Sequence, residues 1–376
     1  MSTVLETTQD VEDFVRGCAL LGTGGGGDPK KGYSFLSKIL EQKGGISWIS
    51  PNKIQDDEWT VSLFYMGSIA PKDLNLANRL KEHGLQVRVE NELVKAMREL
   101  RSYSGISPQY VVPGEIGGIN TPAPIAAAYE LGLKVVDGDF GGGRAIPEMT
   151  QSLASVLGHK VCPLVFCDFA GSVTIVKEAP SCKMAERIGK FLSAASFGLV
   201  GSAGLMLKGK DAKQTVKWGT LTQGLQMGRV IRKARETGED PVAAATHGLN
   251  GWVLFKGEVT NKEWEDRDGY MYGSYQLMGL GEFSDHQFKV WFKNENHMTW
   301  LDDAAYVMSP DIIAAVHLSD AEPITNTDIA KGDRIAVIGT SICPEYRSEK
   351  GLAVLGPRHF GFDLEYTPIE NLIKKL

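Results

Sequence analysis

Three acidic residues follow two predicted β-strands, at points where carboxyl groups could take part in chemistry. Glu115 follows the strand predicted over residues 109–112, and Asp137 and Asp139 follow the strand predicted over residues 133–136. Carboxylates two residues apart point to one face of a strand that continues through them. Such acids can act as a base with an orienting partner, or hold a divalent cation together with water. We predict that all three are catalytic, although Asp139 could instead cap the glycine loop that follows it.

Arg144 and Glu148 come shortly after these acids and extend the predicted site. An arginine fork binds a carboxylate or a ring carbonyl through two hydrogen bonds, so Arg144 is predicted to be catalytic by holding negative charge on the substrate. It could also pair with the acids that precede it. Glu148 is predicted to contact the substrate. The simpler alternative for Glu148 is a helix cap, because it directly follows Pro147.

A second candidate site is the glycine loop, which we define as residues 22–27 and which holds five glycines. The loop matches the GxGxxG pattern of dinucleotide sites, but a helical pattern precedes it where that motif needs a strand. Asp28 stands where a P-loop has its lysine, so no nucleotide cofactor is expected. Bare backbone amides can bind an anion or a carbonyl oxygen, and a tight turn between helices is the alternative. The predicted substrate-binding residues here are Gly24, Gly25, Gly26 and Asp28.

A polar cluster, residues 294–297, follows the strand predicted over residues 289–292. Amide, acid and imidazole groups at the end of a strand can bind a metal or move protons, and a polar turn is the alternative. Asn294 and Glu295 are predicted to bind substrate. One divalent ion, which could be zinc, manganese or magnesium, is expected near the acids. Its predicted ligands are Asp137, Asp139 and His297.

The elements that must position these residues indicate two domains in a chain of 376 residues. Strand, loop and helix alternate through residues 109–157, which predicts parallel strands joined by crossover helices. Functional groups are then expected at the carboxyl ends of the strands. After about residue 163, short strands with turns dominate. We therefore predict an α/β N-terminal domain over residues 1–166 and a β-rich α+β C-terminal domain over residues 167–376.

Composition and charge exclude several classes of protein. Glycine supplies 43 of the 376 residues and proline only 16, which requires many turns without a collagen-like repeat. The net charge of −6, with no basic stripe, argues against nucleic acid as a partner. Five cysteines without a CxxC spacing favour a reducing compartment. No segment has the roughly 20 apolar residues of a membrane helix, and no signal sequence is evident, so we expect a cytoplasmic protein without a membrane partner.

Several segments of the chain resemble the S-methyl thiohydantoin desulfurase-like family, and they occur in the order that this family has. The matching segments are residues 21–29, 115–120, 136–139, 143–148, 294–296, 351–352, 356–363 and 366–370. The resemblance implies two domains and an association with hydantoinase and oxoprolinase systems. It also places Asn120 and Arg358 among the substrate-binding residues.

The resemblance implies a hydrolase of a hydantoin-like ring, most simply one that removes sulfur from an S-methyl thiohydantoin with loss of thiol or sulfide. Water must attack the ring carbon between two nitrogens, so a base or a metal has to activate it and a donor has to hold the charge on the ring. The acids can activate the water, and the glycine loop or Arg144 can hold the charge on the ring. The expected partner is a small molecule with a planar five-membered ring. A homo-oligomer or a hydantoinase-type partner protein is compatible with this expectation.

Two other functions stay open at this point. A non-catalytic ligand-binding or regulatory subunit of a hydantoinase-type assembly would bind such a ring without turnover. An NAD(P)-dependent oxidoreductase rests only on the GxGxxG pattern, and it would gain thermal stability when the nucleotide binds.

Overall fold

The computed structural model describes residues 4–71 and 76–373 of the chain. Its helices in chain order are α1 (Thr8–Leu21), α2 (Pro29–Lys43), α3 (Leu76–Glu82), α4 (Glu92–Ser104), α5 (Pro122–Leu131), α6 (Leu153–Val156), α7 (Cys182–Ala195), α8 (Gly209–Thr215), α9 (Thr220–Thr237), α10 (Pro241–Gly248), α11 (Glu349–Leu355) and α12 (Ile369–Leu372). Its strands in chain order are β1 (Val4–Leu5), β2 (Ile46–Ser47), β3 (Trp59–Gly67), β4 (Tyr110–Val111), β5 (Lys134–Val135), β6 (Gly138–Asp139), β7 (Leu164–Cys167), β8 (Val173–Val176), β9 (Leu199–Lys208), β10 (Lys217–Trp218), β11 (Trp252–Arg267), β12 (Tyr270–Gly279), β13 (Gln287–Lys293), β14 (Glu295–Leu301), β15 (Ala304–Met308), β16 (Ile312–His317) and β17 (Arg334–Thr340). Within the described ranges, no helix is long and apolar enough to cross a membrane.

A six-stranded mixed sheet forms the core of the N-terminal domain, with its strands in the order β5, β4, β3, β9, β7 and β8. β3, β4 and β5 are parallel, whereas β9, β7 and β8 continue the sheet in antiparallel pairs. Helix α5 joins β4 to β5, and α4 lies in the connection from β3 to β4, which confirms the predicted parallel strands and crossover helices. The boundary expected at residues 166 and 167 falls within β7, and β8 and β9 extend the same sheet beyond it.

A seven-stranded antiparallel sheet forms the C-terminal domain, in the order β15, β14, β13, β12, β11, β17 and β16. Its longest hairpin joins β11 to β12 and pairs Arg267 with Tyr270 at its tip. Large apolar side chains such as Phe255 and Phe288 stack in the core of this sheet. The sheet confirms the predicted β-rich C-terminal domain.

Helix α1 sets the position of the glycine loop that follows it. Its first turn is fixed by a capping box, in which the side chains of Thr7 and Asp10 each accept a hydrogen bond of 3.1 Å from the other residue's backbone amide. Its apolar face, which includes Phe14, is buried. A Cβ on Gly17 would overlap the backbone of Gly224, so glycine allows α1 and α9 to cross in direct contact. Because α1 is held at its start and along its length, its last turn places the glycine loop firmly.

Candidate active site

The glycine loop packs against the segment that carries Glu115. The backbone amides of Ile119 and Asn120 donate hydrogen bonds to the carbonyl oxygen of Gly26, at 2.9 and 3.2 Å. A Cβ on Gly26 would lie 2.5 Å from the Cα of Gly117, so both positions need glycine for the two backbones to touch. This contact brings the glycine loop, which follows α1, beside the loop that follows β4.

Glu115 is buried and held at both carboxyl oxygens. Its Oε1 accepts a hydrogen bond of 2.8 Å from Nδ2 of Asn120, and its Oε2 accepts one of 2.7 Å from the backbone amide of Ile146. The carboxamide of Asn120 is itself fixed, because its Oδ1 accepts from the backbone amide of Tyr65 at 2.9 Å. Asn120 therefore orients Glu115, and the structure places both predicted site residues together.

Glu295 comes to the same place from the C-terminal sheet. Asn294 separates β13 from β14 with a φ of +57°, and its side chain accepts a hydrogen bond of 2.9 Å from the backbone amide of Met271. The turn directs Glu295 at the glycine loop, where its Oε1 accepts a hydrogen bond of 3.1 Å from the amide of Gly26. Its Oε2 is buried and has no hydrogen-bond partner among the described residues. Asn294 is thus a turn residue, whereas Glu295 has one oxygen free for a ligand.

Glu115 and Glu295, which we call the acid pair, are buried carboxyl groups whose charges interact. Burial raises the pKa of Glu115 to about 7 and the pKa of Glu295 to about 8. The negative charge of Glu115 adds to the rise in the pKa of Glu295. Two interacting carboxyl groups lose their protons in two steps that belong to the pair. With both pKa values raised toward neutrality, the acid pair can offer a protonated acid and an ionised base at one site.

A buried lysine, Lys190 of α7, provides positive charge near the acid pair. Its Nζ donates a hydrogen bond of 3.0 Å to the carbonyl oxygen of Gly67 and lies 4.0 Å from the centre of the Tyr270 ring. Oε1 of Glu186 is 3.9 Å from the same nitrogen. Burial lowers the pKa of Lys190, and its positive charge opposes the rise in pKa of both members of the acid pair. Lys190 therefore limits how far burial raises the pKa values of the acid pair.

Glu148 lies in an ionic network that joins the two domains. Its Oε1 accepts a hydrogen bond from Nζ of Lys293 on β13, and Nε2 of His359 is 3.2 Å from the same oxygen. Burial opposes ionisation, but the hydrogen bond from His359 and the charge of Lys293 hold the pKa of Glu148 well below its ordinary value. Nζ of Lys293 also lies 4.1 Å from the centre of the Tyr270 ring. The network makes Glu148 a fixed anion between the domains.

Asp139 and Arg144 support the site through the backbone. Asp139 is fully buried and accepts hydrogen bonds from the amides of Gly141 and Gly143, at 2.6 and 2.9 Å, which matches the alternative role of capping the glycines after it. Burial raises the pKa of Asp139 to about 7. The guanidinium of Arg144 donates to the carbonyl oxygens of Ala145 and Pro310, at 2.9 and 2.8 Å. Its fork therefore ties the two domains together rather than pairing with the acids before it.

The three predicted metal ligands do not meet. Asp137 accepts two hydrogen bonds from Thr222 in the first turn of α9, at 3.0 Å from the amide and 2.6 Å from the hydroxyl. His297 is buried with its Nδ1 3.3 Å from Oγ of Ser309, and its ring stacks on Phe360 at 3.9 Å. In the part of the chain that the structure describes, no group of three or more His, Cys, Asp and Glu side chains is placed to hold a metal ion. The ligand set predicted from spacing therefore does not fit a metal.

Asp137 and Asp139 do not share a strand face, because the strand before them ends too early. β5 ends at Val135, and the following strand β6 leaves it to pair with β10, where Asp139 lies opposite Lys217. The strand that was expected to carry Asp137 and Asp139 on one face therefore does not continue through them.

Two further predicted substrate-binding residues have structural partners of their own. Asp28 caps α2 by accepting a hydrogen bond of 2.9 Å from the amide of Lys30. The side chain of Arg358 is 62% exposed and forms an ion pair of 2.8 Å with Glu365. The structure gives these two residues a helix cap and a surface ion pair.

Sequence reasoning missed Lys190, whose charge acts on the acid pair. It also missed Lys293 and Tyr270, whose ring contacts both lysines. The sequence carried one signal for Lys190, which is its helical spacing from Ala185, Glu186 and Gly189. These residues all lie on the buried face of α7. A lysine and a glutamate on the core side of an amphipathic helix need buried partners, so they mark a polar site. Lys293 and Tyr270 carry no comparable local signal.

Comparison with known proteins identifies both domains. The family model described as S-Me-THD-like, N-terminal domain, matches residues 9–178, and the model described as S-Me-THD-like, C-terminal domain, matches residues 180–369. The crystal structure of a protein from Chromobacterium violaceum superimposes with a TM-score of 0.77, covers 98% of this chain and 100% of that chain, and is 19% identical, which shows a shared fold. A search of curated proteins found no significant match. Since the two models together span nearly all of the sequence, the chain belongs to the S-methyl thiohydantoin desulfurase-like (S-Me-THD-like) family.

Proposed function

We propose that the protein is a hydrolase of hydantoin-like rings and that it removes the methylthio group of an S-methyl thiohydantoin as methanethiol. The observation that carries the proposal is the acid pair. Glu115 and Glu295 are both buried, their charges interact, and their pKa values are raised, while Oε2 of Glu295 has no partner among the described residues. Two carboxyl groups that share one proton can activate water and donate a proton in the same step.

The hydrogen bonds divide the roles between the two acids. Glu115 accepts from Asn120 and Ile146, and both donors favour its ionised form. It is therefore the base that takes a proton from water. Glu295 has the higher pKa, about 8, and a free Oε2, so it is the acid that donates a proton to the ring.

The first step forms a bond between the water oxygen and the ring carbon that carries sulfur. The water proton passes to Glu115, and the proton of Glu295 passes to the imine nitrogen of the ring. The resulting tetrahedral carbon carries a hydroxyl group and the methylthio group, and both ring nitrogens carry hydrogen. Because the ring nitrogen is neutralised as the bond forms, little negative charge remains to be stabilised.

The second step breaks the carbon–sulfur bond. Methanethiolate leaves with the bonding electrons and takes the proton from Glu115, while the hydroxyl proton returns to Glu295 as the carbonyl forms. Water and substrate thus give hydantoin and methanethiol, and the acid pair regains its starting state. A thiolate is a good leaving group, so this step needs no strong acid.

The test is release of thiol from S-methyl thiohydantoins, with 2-thiohydantoins assayed for sulfide. We expect turnover by the wild-type protein and a loss of about 100-fold or more in Glu115→Gln and Glu295→Gln. Asp28→Asn is the matched control, because asparagine caps a helix as well as aspartate does. The proposal fails if the wild-type protein releases no thiol, or if both glutamine variants keep the wild-type rate.

A further inference from the structure

Asn326, in the connection between β16 and β17, presents a buried oxygen next to the glycine loop. Its backbone amide donates a hydrogen bond of 2.7 Å to the carbonyl oxygen of Gly24, and its Nδ2 donates one of 2.8 Å to the carbonyl oxygen of Asn294. Its side chain is fully buried, and Oδ1 has no hydrogen-bond partner within residues 4–71 and 76–373. Rotating the amide would set two oxygens against each other, so the bond to Asn294 fixes Oδ1 as the free end.

This free oxygen and Glu295 of the acid pair lie at the same stretch of the glycine loop. A Cβ on Gly24 would lie 2.9 Å from Oδ1 of Asn326, and a Cβ on the next residue, Gly25, would overlap the carboxyl of Glu295. The carboxamide and the carboxyl group therefore pack against consecutive bare residues of the loop. Glu295 also directly follows Asn294, whose carbonyl oxygen holds the Asn326 side chain. Oδ1 of Asn326 and Oε2 of Glu295 are thus two buried oxygens, at one stretch of backbone, that have no partner among the described residues.

The two oxygens differ in what they can bind. A carboxamide oxygen only accepts hydrogen bonds, whereas a protonated carboxyl group can also donate one. The reacting carbon of an S-methyl thiohydantoin lies between one N–H and one imine nitrogen, so the ring offers a donor on one side and an acceptor on the other. An acceptor beside a protonated acid is complementary to that N–C(S)=N unit.

On this basis we infer that Asn326 is a specificity-determining residue, whose Oδ1 accepts a hydrogen bond from the ring N–H while Glu295 donates to the imine nitrogen. The inference rests on the proposed function and narrows its substrate class to cyclic S-alkyl isothioureas that keep a free ring N–H. A buried acceptor that loses its donor is costly, so the site discriminates against a ring that is methylated on that nitrogen.

The experiment compares thiol release from S-methyl thiohydantoin with release from its two N-methyl isomers, neither of which has a ring N–H. For the wild-type protein we expect kcat/KM to fall by about 100-fold on N-methylation. Asn326→Ala should lose activity on the parent ring while keeping its activity on the N-methyl isomers, so that the ratio approaches one. Thr325→Ala is the matched control, since that side chain bonds to Asp328, and it should keep the wild-type ratio.

The outcomes separate the two proposals. If the wild-type protein hydrolyses the parent ring and either N-methyl isomer equally well, the role of Asn326 is overturned and the proposed function stands. An unchanged ratio in folded Asn326→Ala overturns it in the same way. The comparison of rings on the wild-type protein needs no variant. The inference can therefore still be refuted if Asn326→Ala fails to fold. Absence of thiol release from every ring by the wild-type protein overturns the proposed function itself.

Discussion

Oε1 of Glu295 occupies the volume that a Cβ on Gly25 would fill. Glu295 belongs to the C-terminal sheet and Gly25 to the loop after α1, so the contact joins the two domains at the candidate active site. The acid reaches the amide of Gly26 only because the residue before it has no side chain. The glycine-rich composition therefore has a specific purpose here, which is to let a carboxyl group approach backbone.

Replacing Gly25 by alanine should displace Glu295. We expect a loss of at least about 100-fold in kcat/KM, because a shift of about 1 Å in a catalytic group has an effect of this size. Overpacking of the buried contact should also lower the free energy of unfolding by about 1–3 kcal/mol. Thiol release and denaturant unfolding measure the two effects. Gly248→Ala is the control and should keep full activity. A Cβ at that helical position would lie nearest to side-chain atoms of Met227 and Val230, and the Met227 side chain is flexible.

The acid pair predicts a bell-shaped dependence of kcat/KM on pH. The rate should rise as Glu115 ionises, near its pKa of about 7, and fall as the pair loses its second proton, near the pKa of about 8 for Glu295. Glu295→Gln should remove the falling limb, because glutamine does not ionise. A wild-type rate that stays constant from pH 6 to pH 9 would be incompatible with this assignment.

The raised pKa of Glu295 also predicts how the stability of the protein changes with pH. Between the ordinary value of 4.5 and about 8, the folded state binds more protons than the unfolded state, so the free energy of unfolding decreases as pH rises. From pH 5 to pH 9 we expect the wild-type protein to lose roughly 2–4 kcal/mol relative to Glu295→Gln. Urea unfolding at both pH values measures the difference. Glu258 is an exposed residue of β11, so the free energy of unfolding of Glu258→Gln should vary with pH as that of the wild-type protein does. The prediction would be contradicted if the free energy of unfolding of Glu295→Gln changed with pH by the same amount as that of the wild-type protein.

The sequence predicted which residues belong to the site better than it predicted which of them are in contact. Glu115 follows a strand of a parallel sheet, and the position of such a residue is a local property that strand pattern and topology reveal. The partner of Glu295 is different, because Gly26 lies 269 residues away and only the packing of two domains brings them together. The expectation that Asp137 and Asp139 share one face was wrong for a related reason. The spacing of Asp137 and Asp139 fixes a shared face only while one strand continues, and β6 turns away to pair with β10.

The ionic network around Glu148 should be essential for stability. Lys293→Met leaves the buried carboxylate of Glu148 with His359 as its remaining charged partner, and we expect a loss of about 3–5 kcal/mol in the free energy of unfolding. Combining it with Glu148→Met should recover part of that loss, because no buried charge then stays unpaired. Lys289→Met, on the same strand but partly exposed, is the control. Additive effects of the two network substitutions would show that the pair does not interact.

A divalent ion held by Asp137, Asp139 and His297 stays a prediction from the sequence, and the structure gives reason to expect activity without one. The oxygens of Asp137 are both bonded to Thr222, and those of Asp139 to the amides of Gly141 and Gly143. Asp137→Asn should therefore cost about 0.5–2 kcal/mol of stability as a weakened helix cap and leave kcat unchanged. Dialysis against a chelator should likewise leave thiol release intact. Metal analysis that finds zinc, manganese or magnesium at one ion per chain, lost in Asp137→Asn together with activity, would reverse this conclusion and make the metal the activator of water.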